Sequence, residues 1–105
     1  MKGGLDMASE ERIETLHPTG KQGTNIEKAK YDAVRAAIEE ALREGGVMTF
    51  QGLADAVEEK LSGMFQGSIG WYYTTVKLDL EARGVVERVG SGSPQRLRLT
   101  GEGSG

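Results

Sequence analysis

Cysteine is absent from this chain of 105 residues, and histidine occurs once. Without cysteine there is neither a disulfide framework nor a thiolate metal site. The single histidine, His17, rules out a metal centre built from a histidine cluster, so no metal and no cofactor are expected. No apolar run approaches the roughly 20 residues that a membrane-spanning helix needs. The opening residues, MKGGLDMASEERIE, lack the apolar core of a signal peptide, which makes a soluble cytoplasmic protein the expectation. Apolar residues make up 37% of the chain. That suffices for one small core, not for a large buried catalytic cleft.

A surplus of positive charge is missing too. The net charge is −3, which argues against a surface that binds nucleic acid everywhere. The charge is unevenly spread, however. Residues 25–61 hold 5 basic and 8 acidic groups, whereas residues 62–105 hold 5 basic and 4 acidic. Near the C-terminus Arg83, Arg88, Arg96 and Arg98 stand against Glu87 alone, so positive charge concentrates there.

What the chain does have is helical period followed by strand alternation. Residues 1–23 show neither, hold four glycines and Pro18, and are expected to form a flexible arm. Within the arm Glu10–Leu16 is a candidate short helix with Ser9 as its cap. The first long helix is expected over Asn25–Glu44, opened by a capping box of Thr24 and Glu27. Tyr31, Val34, Ile38, Ala41 and Leu42 fall on one face of it, and Ala29, Ala33, Ala36 and Ala37 form a second, thin-walled face. Glu39 and Arg43 are spaced as an i,i+4 ion pair, and Gly45-Gly46 ends the helix. Val47-Met48 is a short apolar strand. Thr49 caps a second helix over Phe50–Leu61, whose apolar face is Phe50, Leu53, Ala54, Val57 and Leu61. In the turn after it, Met64 and Phe65 are expected to plug the core.

The third helix runs from its cap, Ser68, to Arg83, with Ile69, Tyr72, Tyr73, Val76 and Leu80 on one face. Gly84 stops it. Val85–Val89 and Gln95–Thr100 read as strands joined by the turn Gly90-Ser91-Gly92-Ser93-Pro94. Leu97 and Leu99 alternate with Arg96 and Arg98, so one side of the last strand is buried and the other is basic and wet. The expected organisation is thus an arm over 1–23, a domain over 24–100 and a Gly-rich tail over 101–105.

The order helix, short strand, helix, helix, two-stranded hairpin resembles the winged helix-turn-helix superfamily. The segment Leu80-Glu81-Ala82-Arg83-Gly84-Val85-Val86-Glu87-Arg88 resembles the end of the recognition helix in many bacterial winged-helix regulators. GSIGWYYTTVKLDLEARG and SPQRLRL are also similar to segments of a family of small uncharacterised bacterial winged-helix-like domains. The resemblance covers about Asn25 to Thr100. It implies an α+β winged helix with three helices, a short first strand and a C-terminal β-hairpin wing. It further implies DNA binding, with helix 3 in the major groove and the wing on the adjacent backbone. Arg88, Arg96 and Arg98 would then pair with phosphates, and Trp71, Thr74, Thr75 and Lys77 would face the groove.

Each of these features has a plainer reading. The arginines also suit a solvated hairpin face that repels edge-to-edge pairing. Trp71 and Leu78 lie opposite the buried face of helix 3, and large exposed apolar groups mark a partner surface. The alternative to DNA binding is therefore a protein-docking or dimerising winged helix that uses the Trp71/Leu78 face or the alanine face of helix 1. A third possibility for Trp71 is cover by the arm or by Met64 and Phe65. The loop His17–Thr24 holds Gly, Lys and Thr before a helix, but not at the spacing of a P-loop. It reads as a loop docked by Lys21 and Ile26. The phase of Tyr72 and Tyr73 matches Val76 and Leu80, which makes them core residues rather than base-stacking ones. The carboxylate pairs Glu39-Glu40 and Glu58-Glu59 diverge by about 100° around their helices and cannot converge on one substrate. No enzyme is expected.

Overall fold

The computed structural model describes residues 11–101. Ser9, Glu10 and the tail after Gly101 lie outside them. The elements run β1 (Arg12–Glu14), β2 (Asn25–Glu27), α1 (Lys28–Gly45), β3 (Met48–Thr49), α2 (Phe50–Leu61), α3 (Ile69–Ala82), β4 (Val86–Arg88) and β5 (Arg96–Leu99). The chain is α+β, in a winged-helix-like arrangement with a C-terminal hairpin. Three helices pack around one core, and a sheet of order β3-β5-β4 closes it, with β4 and β5 as the wing.

The core is where the helical periods place it. Val34, Ile38, Leu53, Val57, Val76 and Leu80 are completely buried. Burying one such side chain stabilises the fold by about 1.5–3 kcal/mol. Thr49 caps α2 by accepting a hydrogen bond from the Gly52 N–H at 3.0 Å, and Ser68 caps α3 by accepting from the Trp71 N–H at 3.2 Å. β5 pairs with both neighbours: Met48 faces Leu97, and Val86 faces Leu99. Leu97 is buried while Arg96 and Arg98 are exposed, so the alternation in the last strand has the expected sense.

The N-terminal half departs from expectation. Arg12–Glu14 is neither part of a loose arm nor helical. It forms a strand antiparallel to Asn25–Glu27, with Ile13 opposite Ile26. That pairing draws Asn25–Glu27 out of the first helix, which begins only at Lys28. The anticipated capping box is absent: Glu27 occupies the cap position and its side chain makes no capping bond. Thr24 serves the hairpin instead. Its N–H donates to Thr15 Oγ1 at 2.9 Å, and its carbonyl accepts from the Thr15 N–H at 2.9 Å. Gly23 is required there, because a Cβ would lie only 1.6 Å from the Thr15 carbonyl oxygen. Ile26 docks this hairpin as expected, whereas Lys21 is exposed.

Two smaller readings change as well. Glu39 pairs at 2.9 Å with Arg35, one turn before it, and not with Arg43, one turn after it. Met64 does not plug the core: it is 77% exposed, and only Phe65 turns inward, edge-on to Tyr72 at 5.2 Å.

Candidate nucleic-acid interface

Helix α3 carries the residues that matter most, because the wing packs along one flank and the loop of the β1–β2 hairpin reaches the other near Asp79 and Ala82. Its outer face shows Trp71, Thr74, Thr75 and Leu78. Thr74 is exposed, Thr75 and Leu78 are half-buried, and Trp71 is 46% exposed. The Trp71 ring stands edge-on to Tyr72 at 4.9 Å. The part of the arm that the structure describes does not cover Trp71. It docks further along α3, where the Leu16 N–H donates to Asp79 Oδ1 at 2.8 Å.

Lys77 does not face outward with these residues. Only 3% of its surface is exposed, and its ammonium donates to Glu81 Oε2 at 2.8 Å and Gln95 Oε1 at 3.1 Å. It also lies 5.3 Å from the centre of the Phe50 ring, a cation–π distance. An ammonium taken out of water needs such partners, and the wing supplies one of them through Gln95. Gln95 is itself fixed, since its carbonyl accepts from the Phe50 N–H at 2.8 Å. Lys77 therefore fastens the wing to the helix and is not available to a groove.

The three wing arginines differ in what holds them. Arg98 Nε donates to Glu87 Oε2 at 2.6 Å across the β4–β5 ladder. Arg88 Nε lies 3.4 Å from Glu81 Oε1, the carboxylate that also receives Lys77. Arg96 is exposed on β5, opposite Thr49. Arg88 and Arg96 both line a hollow of about 250 Å³ at the wing tip, together with Gln95 and the Gly90-Ser91-Gly92 turn. Gly90 and Gly92 have φ of 71° and 100°, left-handed values that a side chain would resist.

From Ser68 to Thr100 the chain holds five basic and three acidic side chains. Lys77 pairs with Glu81, Arg83 with Asp79 and Arg98 with Glu87. The two charges left in surplus are Arg88, which shares Glu81 with Lys77, and Arg96. Both residues line the hollow, Arg88 from the face of the ladder it shares with Leu97 and Arg96 from the opposite face.

Asp79 is a residue that reasoning from the sequence missed. In the structure its side chain is fully buried. Besides the Leu16 N–H, its carboxylate accepts hydrogen bonds from the Tyr31 hydroxyl and from Arg83 Nε, the latter at 2.8 Å. Burial, reinforced by the hydrogen bond to Asp79, raises the Tyr31 hydroxyl above the ordinary tyrosine pKa. The bond to Asp79 likewise strengthens the proton affinity of Arg83. One signal in the sequence pointed this way: Asp79 sits i+3 from Val76 and i+7 from Tyr72, on the apolar phase of the helix, with an arginine at i+4.

Among the described residues no cluster of three or more histidine or acidic side chains is placed to hold a metal ion, and no helix is long and apolar enough to cross a membrane. No curated protein and no solved structure matches the chain. Residues 12–97, from β1 into β5, match a protein family described as a family of unknown function (DUF6958), and the chain belongs to that family.

Proposed function

We propose that this chain is a DNA-binding module of the winged helix-turn-helix type, similar to a transcription regulator, that grips the phosphate backbone with the tip of its wing. The observation that carries this reading is the positive wing: Arg96 and Arg98 project from the exposed face of β5, and Arg88 stands exposed on β4 beside the glycine turn. Planar guanidinium groups suit phosphate oxygens, and backbone N–H groups of the turn add donors. Arg98 lies on the same strand and joins the grip when a phosphate displaces Glu87, since an exposed ion pair holds it by no more than about 1 kcal/mol. Trp71, Thr74 and Thr75 then face the groove.

The affinity follows from the charge. Three phosphates neutralised give a log–log salt slope of about −3 on duplex DNA, so binding is weak and strongest at low salt. The outer face of α3 offers threonine hydroxyls and an indole, without the Arg, Asn or Gln that make bidentate contacts to base edges. Backbone contact therefore dominates and sequence preference is slight.

Fluorescence anisotropy with a labelled mixed-sequence duplex, titrated from low to physiological salt, tests this. Arg96→Gln lowers the slope from about −3 to about −2, and replacing Arg88, Arg96 and Arg98 together by Gln abolishes binding. Lys77→Met leaves the slope unchanged, because that ammonium is already spoken for. No binding of the wild-type chain at low salt would overturn the reading.

A further inference from the structure

A second surface, remote from the wing hollow, carries both a projection and a recess. The recess is a hollow of about 480 Å³ between the first half of α1 and the loop joining α2 to α3, lined in part by Glu27, Ala29, Lys30, Ala33 and Phe65. Met64 stands at its rim and is 77% exposed. Behind Phe65 the aromatic packing continues through Tyr72 to Trp71, so an apolar surface reaches from the core to solvent here. Lys30 lies 5.3 Å from the centre of the Tyr72 ring and 5.8 Å from that of Phe65, and 3.7 Å from Glu27.

We infer that this face docks a second copy of the chain, in a two-fold dimer. A two-fold contact brings residue i against residue j and j against i. The face meets that condition in shape and in charge. It holds a projecting, flexible methionine beside a recess with an apolar wall, so each Met64 enters the partner copy's hollow. It also holds an acid and a base three residues apart on one helix, so Glu27 of each copy faces Lys30 of the other. Ala29 and Ala33 keep the wall between them low, which lets the two α1 helices approach. The ion pair of Glu27 and Lys30 within one chain is half-exposed and weakly held, and it exchanges for the pair across the interface at little cost. This inference stands apart from the DNA reading, since it uses none of the wing residues.

Sedimentation velocity of the full chain, from about 1 µM to several hundred µM, reads the outcome. The wild-type chain passes from monomer to dimer over that range, as expected for a small interface. Met64→Glu, at an exposed position that the fold does not need, stays monomeric throughout. Glu27→Lys and Lys30→Glu each place like charges across the two-fold and weaken self-association at least tenfold. Mixing those two variants restores a dimer, now a mixed one, because each supplies the charge the other lacks. Arg96→Gln dimerises as the wild type does, which separates this result from the DNA test. A wild-type chain monomeric at every concentration would overturn the inference. So would a dimer that persists in Met64→Glu, or a mixture of the two charge variants that stays monomeric.

Discussion

Helix α3 buries charge on both flanks, and the flanks are built on different terms. On the hairpin side one carboxylate, Asp79, takes two neutral donors and one guanidinium: the Leu16 N–H, the Tyr31 hydroxyl and Arg83. Two of these lie 63 and 48 residues away in sequence. On the wing side an ammonium and a carboxylate from adjacent helical turns, Lys77 and Glu81, meet each other first and then reach Gln95 and Arg88. The hairpin flank has one acceptor serving three segments. The wing flank has a pair that remains partly satisfied if one member is lost. A hub with no substitute is the more fragile design.

Asp79→Ala breaks the comparison most directly. It deprives the Leu16 N–H and the Tyr31 hydroxyl of their acceptor and strips Arg83 of its partner. The expected loss is about 3–5 kcal/mol of stability, seen as a lower urea midpoint. Hydrogen exchange at the Leu16 amide accelerates at the same time. A change below about 1 kcal/mol, which is what an exposed ion pair contributes, with Leu16 still protected, would mean that the hub is not what holds the hairpin.

Lys77→Met is the matching test on the other flank. It keeps the aliphatic stem and removes the charge, while Glu81 retains Arg88. About 1–3 kcal/mol is expected, less than for Asp79→Ala, because the remaining carboxylate is not left alone. If the two substitutions cost the same, the distinction between a hub and a shared pair fails.

Tyr31→Phe sharpens the comparison by removing one hub bond of three, for about 1 kcal/mol. It also reports on pH. The folded-state pKa of Tyr31 is raised, through burial and the bond to Asp79, and burial raises Tyr73 in the same direction. A raised folded-state pKa means that the folded protein holds its proton more tightly than the unfolded chain does. The contribution is complete below the unfolded value of about 10 and is lost as pH climbs through the folded value. Urea midpoints should therefore fall above about pH 10, and less steeply in Tyr31→Phe. A midpoint flat across that alkaline range would count against the buried hydroxyls. The smallest effect belongs to Arg98→Gln, whose partner Glu87 is 42% exposed in its side chain; a change within about 1 kcal/mol is expected from thermal unfolding.

Legibility in the sequence follows the same divide. The caps Thr49 and Ser68, the buried period of α1 through Tyr31, Val34 and Ile38, and the alternation of Leu97 with Arg96 and Arg98 were all readable, because each rests on neighbours within a few residues. Arg88 and Arg96 were readable as basic residues of a wing. The hollow that both line was not, since it depends on the path of the Gly90–Pro94 turn. The capping box at Thr24 and Glu27 was a sound local reading that lost to a tertiary one. Pairing with Arg12–Glu14 satisfies the backbone of Asn25–Glu27 better than an extra helical turn would, and it buries Ile26 as well.

The sequence by itself determined the three helices, the hairpin and most of the core, because hydrophobic period is a local property and burial of that face follows from it. Only the tertiary structure decided which polar side chains go inside. Lys77 and Asp79 lie on one helix two residues apart, and a place near its apolar phase does not say what would meet a charge there. A charge is buried only where partners from elsewhere meet it, and for these two the partners come from Gln95, Tyr31 and Leu16, segments that composition and spacing along α3 do not reveal.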